Sequence, residues 1–317
     1  MKTVVPDYYK DFRCLAGDCH HSCCIGWEVD IDDDTLNFYR TVGGEFGRRL
    51  ESSISYDEGT AHFCMDKEGR CPFLNEKGLC DIMTNLGFDK VSQICDDHPR
   101  FRNFYSGRTE VGLGLSCEAV AQMIVNKTDK AKFIVLEEGE ELLWEDECDF
   151  LDLRDDIFDI LQNREIPLRD RCAQMLSFCG TGYPDTDIYS TADFFGTLEK
   201  LDDERDILLD AIKATAAEKL VLPQEKWLDI AFEQLLMYFV FRHLTDSLDD
   251  GRLEERTVFC VMSAYIVYAM AAAQFNAKGE ITPVMLADAA RIYSAEIEYS
   301  TENTEKLLDY IETLLHK

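Results

Sequence analysis

The chain has 317 residues and a formal net charge of −30 at pH 7, from 62 Asp and Glu against 32 Lys and Arg. Such an excess of negative charge excludes a nucleic-acid partner, whose phosphates are held by clustered Lys and Arg, and it excludes adhesion to an anionic membrane surface. With 46% hydrophobic residues the chain can bury a sizeable core, so it is not a disordered protein.

The first fourteen residues, MKTVVPDYYKDFRC, carry no apolar run behind Lys2, so no signal peptide is expected and the protein is placed in the cytoplasm. Thirteen cysteines follow, nine of them within residues 1–117. Without export a disulfide framework is not expected; thiols concentrated in one third of a reduced chain point to a metal or an iron–sulfur cluster. Residues 1–125 read as a cysteine-rich domain of loops and a few short helices, one from Asp33 to Arg40, with turns at Gly43-Gly44, Gly59, Gly69, Gly78 and Gly107. So little apolar core per residue implies that bound metal supplies much of this domain's folding energy.

Residues 126–150 form an acidic connector, read as a surface strand or hairpin. From 151 to 317 the apolar spacing becomes helical: Leu228, Phe232, Leu235 and Phe239 fall on one face. Helices are expected at 151–163, 167–179, 194–219, 225–248, 253–276 and 283–315, the last broken near Ser300. Thr282-Pro283 supplies an N-cap followed by Pro at the first helical position. Val258 to Ala273 is the longest apolar stretch; it is short for a membrane span and reads as a buried core helix. The fold class is therefore mainly α: a cysteine-rich metal- or cluster-binding domain packed on a helical bundle.

The densest chemistry is CLAGDCHHSCC, residues 14–24. Its spacing is C-x4-C-x3-C-C, and Cys71, Cys80, Cys95 and Cys117 follow singly, several beside Gly or Pro. Structural zinc commonly uses two short paired hooks, and no second pair exists downstream. Single thiols converging from separate loops suit a cluster needing about four thiolates. Gly26 stands where the usual radical C-x3-C-x2-C motif would need its last cysteine, and no G-x-G-x-x-G follows a strand. His20 and His21 read as turn residues, Trp27 as core, and Cys64 as structural.

The segments CLAGDCHHSCCIGWEVDID, CPFLNEKGLCDI, ICDDHPRF, MYFVFRHLTD and ARIYSAEIEYSTEN resemble the flagellin lysine-N-methylase, or FliB-like, family. The resemblance implies methyl transfer from S-adenosylmethionine to lysine side chains of flagellin, and an iron–sulfur cluster, of 4Fe-4S type, in the enzyme. The family's cysteine positions fall on Cys14, Cys19, Cys23, Cys24, Cys71, Cys80, Cys95 and Cys117, which are the expected metal ligands. The alternative is a zinc- or iron-chelating module without catalysis, joined to a helical partner-binding domain. Methylating a lysine requires its neutral amine, and the free ammonium has a pKa of about 10.4, so a base is needed. Glu298 and His243 are the candidates; Arg100 and Arg291 are candidates for holding a carboxylate of substrate or donor.

Overall fold

The computed structural model describes residues 1–201 and 203–316. It is mainly α, with fourteen α-helices among the described residues, and it divides into two compact units. One is Arg13–Arg100; the other joins Met1–Phe12 to the chain from Phe101 onward. The reading of one domain over 1–125 is thus corrected at both ends. Strand Lys2–Pro6 pairs in parallel with Arg108–Leu113 and antiparallel with Phe133–Glu137, so the N-terminal strand belongs with the helical part. The expected connector at 126–150 is in fact the edge strand Phe133–Glu137 of this four-stranded sheet, followed by the start of helix Glu145–Leu161.

The Arg13–Arg100 unit is built on a three-stranded sheet in which Thr60–Phe63 lies between Asp30–Ile31 and Ile54–Asp57. The hairpin turns at Glu58-Gly59, both with positive φ (47° and 94°), as a tight two-residue turn requires. Asp32 caps helix Asp33–Tyr39 by accepting from Thr35 N at 2.9 Å, and its second oxygen accepts from Gln93 N at 2.8 Å. A small core gathers Val29, Ile31, Leu36, Tyr39, Leu50, Phe63 and Phe73.

In the other unit the helices lie close to the expected ones. Helix Lys226–His243 is buried nearly all round, and helix Leu253–Lys278 packs against it. The latter is longer than its apolar stretch suggested, long and apolar enough to cross a membrane, but most of it is buried within this fold. The expected helix 194–219 is two, Ile188–Phe195 and Asp203–Ala214. The expected break near Ser300 is present: helix Pro283–Ile297 ends there and Thr301–Leu315 begins, with Ser300 accepting from Asn303 N at 3.2 Å. Thr282 caps Pro283–Ile297 by accepting from Met285 N at 3.3 Å.

A buried ion pair ties sheet to helix. Glu110 on strand Arg108–Leu113 receives both terminal nitrogens of Arg154, at 2.6 and 2.8 Å, and Arg108 at 2.6 Å. Arg154 stacks over Phe150, Phe158 and Phe241. Removing Arg154 leaves the buried Glu110 with Arg108 in place of two guanidinium partners. Arg154→Met is therefore expected to cost about 3–5 kcal/mol, whereas adding Glu110→Gln should recover much of that loss; urea unfolding of the single and double variants checks it.

Candidate functional site

In the Arg13–Arg100 unit four thiols are brought together: Cys24, Cys71, Cys80 and Cys95. All are free; Cys71 lies in the small core of this unit, and Cys24, Cys80 and Cys95 pack against that core. The convergence is local in origin. Cys71 N donates to Cys24 O at 2.8 Å, Leu74 bridges to Cys80, and Asp81 N donates to Phe73 O at 2.7 Å, folding the CPFL segment back on its neighbours. Cys95 lies in the short helix Gln93–Asp97, with Ser92 Oγ 3.2 Å from its sulfur. Gly17 and Gly78 touch: a Cβ at Gly78 would stand 3.3 Å from Gly17 Cα, which brings the 14–19 loop against the 75–79 turn.

Burial, with the neighbouring thiols adding to it, pushes Cys71 up to about 12 and Cys95 up to about 11, and it raises Cys80. Cys24 goes the other way, to about 7, through its hydrogen bond with Cys23, against burial and with help from Ser22 and Arg70. Three of the four sulfurs are thus costly to ionise where they sit. Among the described residues no three of these sulfurs lie within 4.8 Å of one another, so they are not drawn in to the spacing of a four-cysteine zinc site.

The remaining predicted ligands stand differently. Cys14 and Cys23 are exposed, Cys14 accepting from Ala16 N at 3.3 Å, and Cys19 donates to His21 O at 3.3 Å. Cys117 belongs to the other unit, where it precedes helix Glu118–Val125. Cys64 is exposed. Trp27 is half-buried, its indole N–H donating to Cys23 O at 2.5 Å.

In the larger unit, His243 and Glu298 meet. Glu298 has no exposed side-chain surface, and its Oε1 lies 2.5 Å from His243 Nε2 and 3.5 Å from Arg242 Nε. Tyr238 donates to Oε2 at 2.9 Å, and Ser294 Oγ donates to the same oxygen. Tyr238 in turn accepts from Arg242 at 2.7 Å and from Leu115 N at 3.1 Å. Arg242 is held between the rings of Phe101, at 4.8 Å, and Tyr299, at 5.0 Å. Phe101 can reach this place because Gly112 has no side chain: a Cβ there would lie 2.1 Å from the ring. Arg242, His243 and Glu298 line a cavity of about 270 Å³ with Asp246, Thr301 and Thr304.

Burial alone would raise Glu298, but Arg242 and the hydrogen bonds from His243 and Ser294 outweigh it and hold the carboxyl below its ordinary value. Burial lowers His243 and prevails over the pull of Glu298. The favoured state is a carboxylate beside a neutral imidazole. With Nε2–H given to Glu298, the basic lone pair is on Nδ1.

Arg100 and Arg291 are not part of this network. Arg100 donates to the carbonyls of Asp96 and Asp97 at the end of a short helix. Arg291 pairs with Asp288 at 2.9 Å and with Glu204. Sequence reasoning missed Tyr238, Arg242 and Ser294. The signal was present in their spacing: Tyr238 and Arg242 lie four residues apart on one helix, as do Ser294 and Glu298 in the chain.

Residues 186–316 match the family model of the FliB lysine N-methylase C-terminal domain. The C-terminal part of the chain is FliB-like. The flagellar biosynthetic protein FliU of Salmonella muenchen is 28% identical over 130 residues, 39% of this chain and 77% of that protein. Lysine-N-methylases of Salmonella choleraesuis (strain SC-B67) and Salmonella typhimurium (strain LT2) are each 28% identical over 130 residues, again 39% of this chain. The match spans about a third of each methylase, 32% of its length. No solved structure matches the chain. His243 and Glu298 both fall inside the family match, whereas the Arg13–Arg100 unit lies outside it.

The two shifts predict an acid-sensitive site. Both folded-state pKa values lie below the ordinary 6.5 of His243 and 4.5 of Glu298, so the unfolded chain takes up each proton first. Stability present at neutral pH is therefore lost as pH falls below each ordinary value and through the lower folded one. His243→Gln should flatten the upper part of that loss and Glu298→Gln the lower, read by urea unfolding between about pH 3 and pH 7.

Proposed function

We propose that the protein is an S-adenosylmethionine-dependent protein-lysine N-methyltransferase acting on a flagellar protein, flagellin, in the cytoplasm. The observation that carries this reading is the buried Glu298–His243 pair at a cavity wall, inside the region that resembles the lysine N-methylase C-terminal domain.

The lysine ε-ammonium must lose a proton before its nitrogen lone pair can attack the donor's methyl carbon; the carbon–sulfur bond then breaks and leaves a neutral thioether. His243 Nδ1 is the proton acceptor in this reading. Glu298 fixes the imidazole tautomer and stabilises the imidazolium that forms, while Arg242 and Tyr238 keep Glu298 ionised and in place. The closing of the network by Leu115 N and Ser294 leaves Glu298 little freedom to turn away.

Cys24, Cys71, Cys80 and Cys95 would hold an iron–sulfur cluster. When bound, such a group supplies either an anchor for the donor's amino and carboxylate groups or an electron for a radical route. Burial of the four sulfurs beside Tyr39 and Phe73 would limit access of water to the centre. The same four thiols would hold zinc if the unit is a chelating module without catalysis, and colour separates the two.

The experiment is anaerobic purification, a visible spectrum with iron, sulfide and zinc analysis, and mass-spectrometric assay of lysine methylation on flagellin with S-adenosylmethionine. A brown protein that methylates flagellin supports the reading; a colourless zinc protein without activity overturns it. Cys71→Ser and Cys80→Ser should each lose bound metal, while Cys64→Ser retains it. His243→Ala and Glu298→Gln should lower the methylation rate by roughly 10²–10⁴-fold with metal content unchanged.

A further inference from the structure

The Arg13–Arg100 unit contains a cavity of about 340 Å³ that the thiol set does not use. Trp27, Glu28, His62, Cys64 and Met65 line it, with the buried ring of Phe63. Two glycines complete the wall. Gly26 N donates to Gly69 O at 3.0 Å, and a Cβ at Gly69 would lie 3.3 Å from Gly26 N, so the two loops meet backbone to backbone. No side chain from either can fill the space.

The polar groups are arranged unusually. Thr60–Phe63 is the central strand of the three-stranded sheet, and His62 on it faces Ser55 across the pair, with Nε2 2.6 Å from Ser55 Oγ. Its Nδ1 lies 3.1 Å from Glu28 Oε1, within ion-pair distance. The favoured tautomer carries its proton on Nδ1, facing the carboxylate, with Nε2 accepting from the Ser55 hydroxyl. His62 so steadies the Glu28 carboxylate at the cavity, whose lining holds no Lys or Arg. The indole N–H of Trp27 is spent on Cys23 O, which leaves the ring's carbon surface for the cavity. Carboxylate, indole face and thioether around an open space form a receptor for a cation with a greasy exterior.

We propose that this cavity binds an alkyl cation, an ammonium or sulfonium group, against Glu28 and Trp27. The geometry stands without the methyl-transfer reading; that reading only suggests the two sources of such a cation, a lysine or methyl-lysine side chain and the sulfonium of S-adenosylmethionine.

The test is tryptophan fluorescence of the full chain, titrated with Nα-acetyl-Nε-trimethyl-lysine and with S-adenosylmethionine. Nα-acetyl-norleucine and S-adenosylhomocysteine serve as their uncharged counterparts. The chain has three tryptophans, and Trp27→Phe identifies the signal from this site. Expected is a saturable change that Trp27→Phe abolishes, affinity for the cation well above that for its uncharged counterpart, and about tenfold weaker binding in Glu28→Gln. Glu28 is exposed, so this variant should fold, and circular dichroism confirms it. The tighter of the two cations names the source. No saturable change, equal affinity of charged and uncharged ligands, or unaltered binding in Glu28→Gln overturns the proposal. Flagellin methylation is scored separately, so loss of this site and loss of the enzyme reading give different results.

Discussion

A carboxylate without contact with water constrains the larger unit. An ionised Glu298 in the interior costs several kcal/mol unless every lone pair is met, and the structure meets them from two helices and the residues after them. Tyr238, Arg242 and His243 come from helix Lys226–His243, Ser294 from helix Pro283–Ile297, and Leu115 N steadies Tyr238 from the chain before Glu118. The break at Ser300 follows directly behind, where Arg242 also donates to Glu298 O at 3.1 Å. These helices cannot slide past one another without breaking charge-assisted bonds, so the network fixes their register as well as the proton's position.

The cysteine-rich unit solves a different problem. Its core is a few residues around Phe63 and Phe73, and its backbone is held by turns and short bridges. Cys71 belongs to that core and Cys24, Cys80 and Cys95 pack against it, where un-ionised thiols serve as small apolar groups. A metal bound there, as proposed above, would add its binding free energy to folding, because such a site forms only in the folded unit.

Much of this was legible in the residues. Thr282-Pro283 and Ser300 mark helix ends because a hydroxyl cap and a fixed proline φ act locally. His243 and Glu298 stood out singly as titratable groups on apolar helices. Their pairing could not be read, because 55 residues separate them and only packing decides which faces meet. The strand Lys2–Pro6 was missed for the same reason: its partners begin a hundred residues away. Among the eight cysteines spacing alone gave no means of choosing. Backbone bonds and a bridge draw Cys24, Cys71 and Cys80 together, Cys95 packs against the same small core, and Cys117 falls in the other unit.

Buried ion networks are not by themselves evidence of function, and this chain provides its own comparison. Glu233, equally inaccessible, receives Arg164 at 2.8 Å and Arg171 at 2.7 Å, and none of the three lines a cavity described here. Its charges are matched by two guanidinium groups, which do not release protons at any ordinary pH. Glu298 is matched instead by one guanidinium, two hydroxyls and an imidazole, and the imidazole is the member that can take up and release a proton. That member lines a cavity together with Arg242 and Glu298 themselves. A network built only for stability gains nothing from a titratable partner at its open edge, since each protonation would weaken the packing it supports. On the reading proposed above, His243 in the place where Glu233 has a second arginine is the feature that would separate a site for proton transfer from a structural clamp.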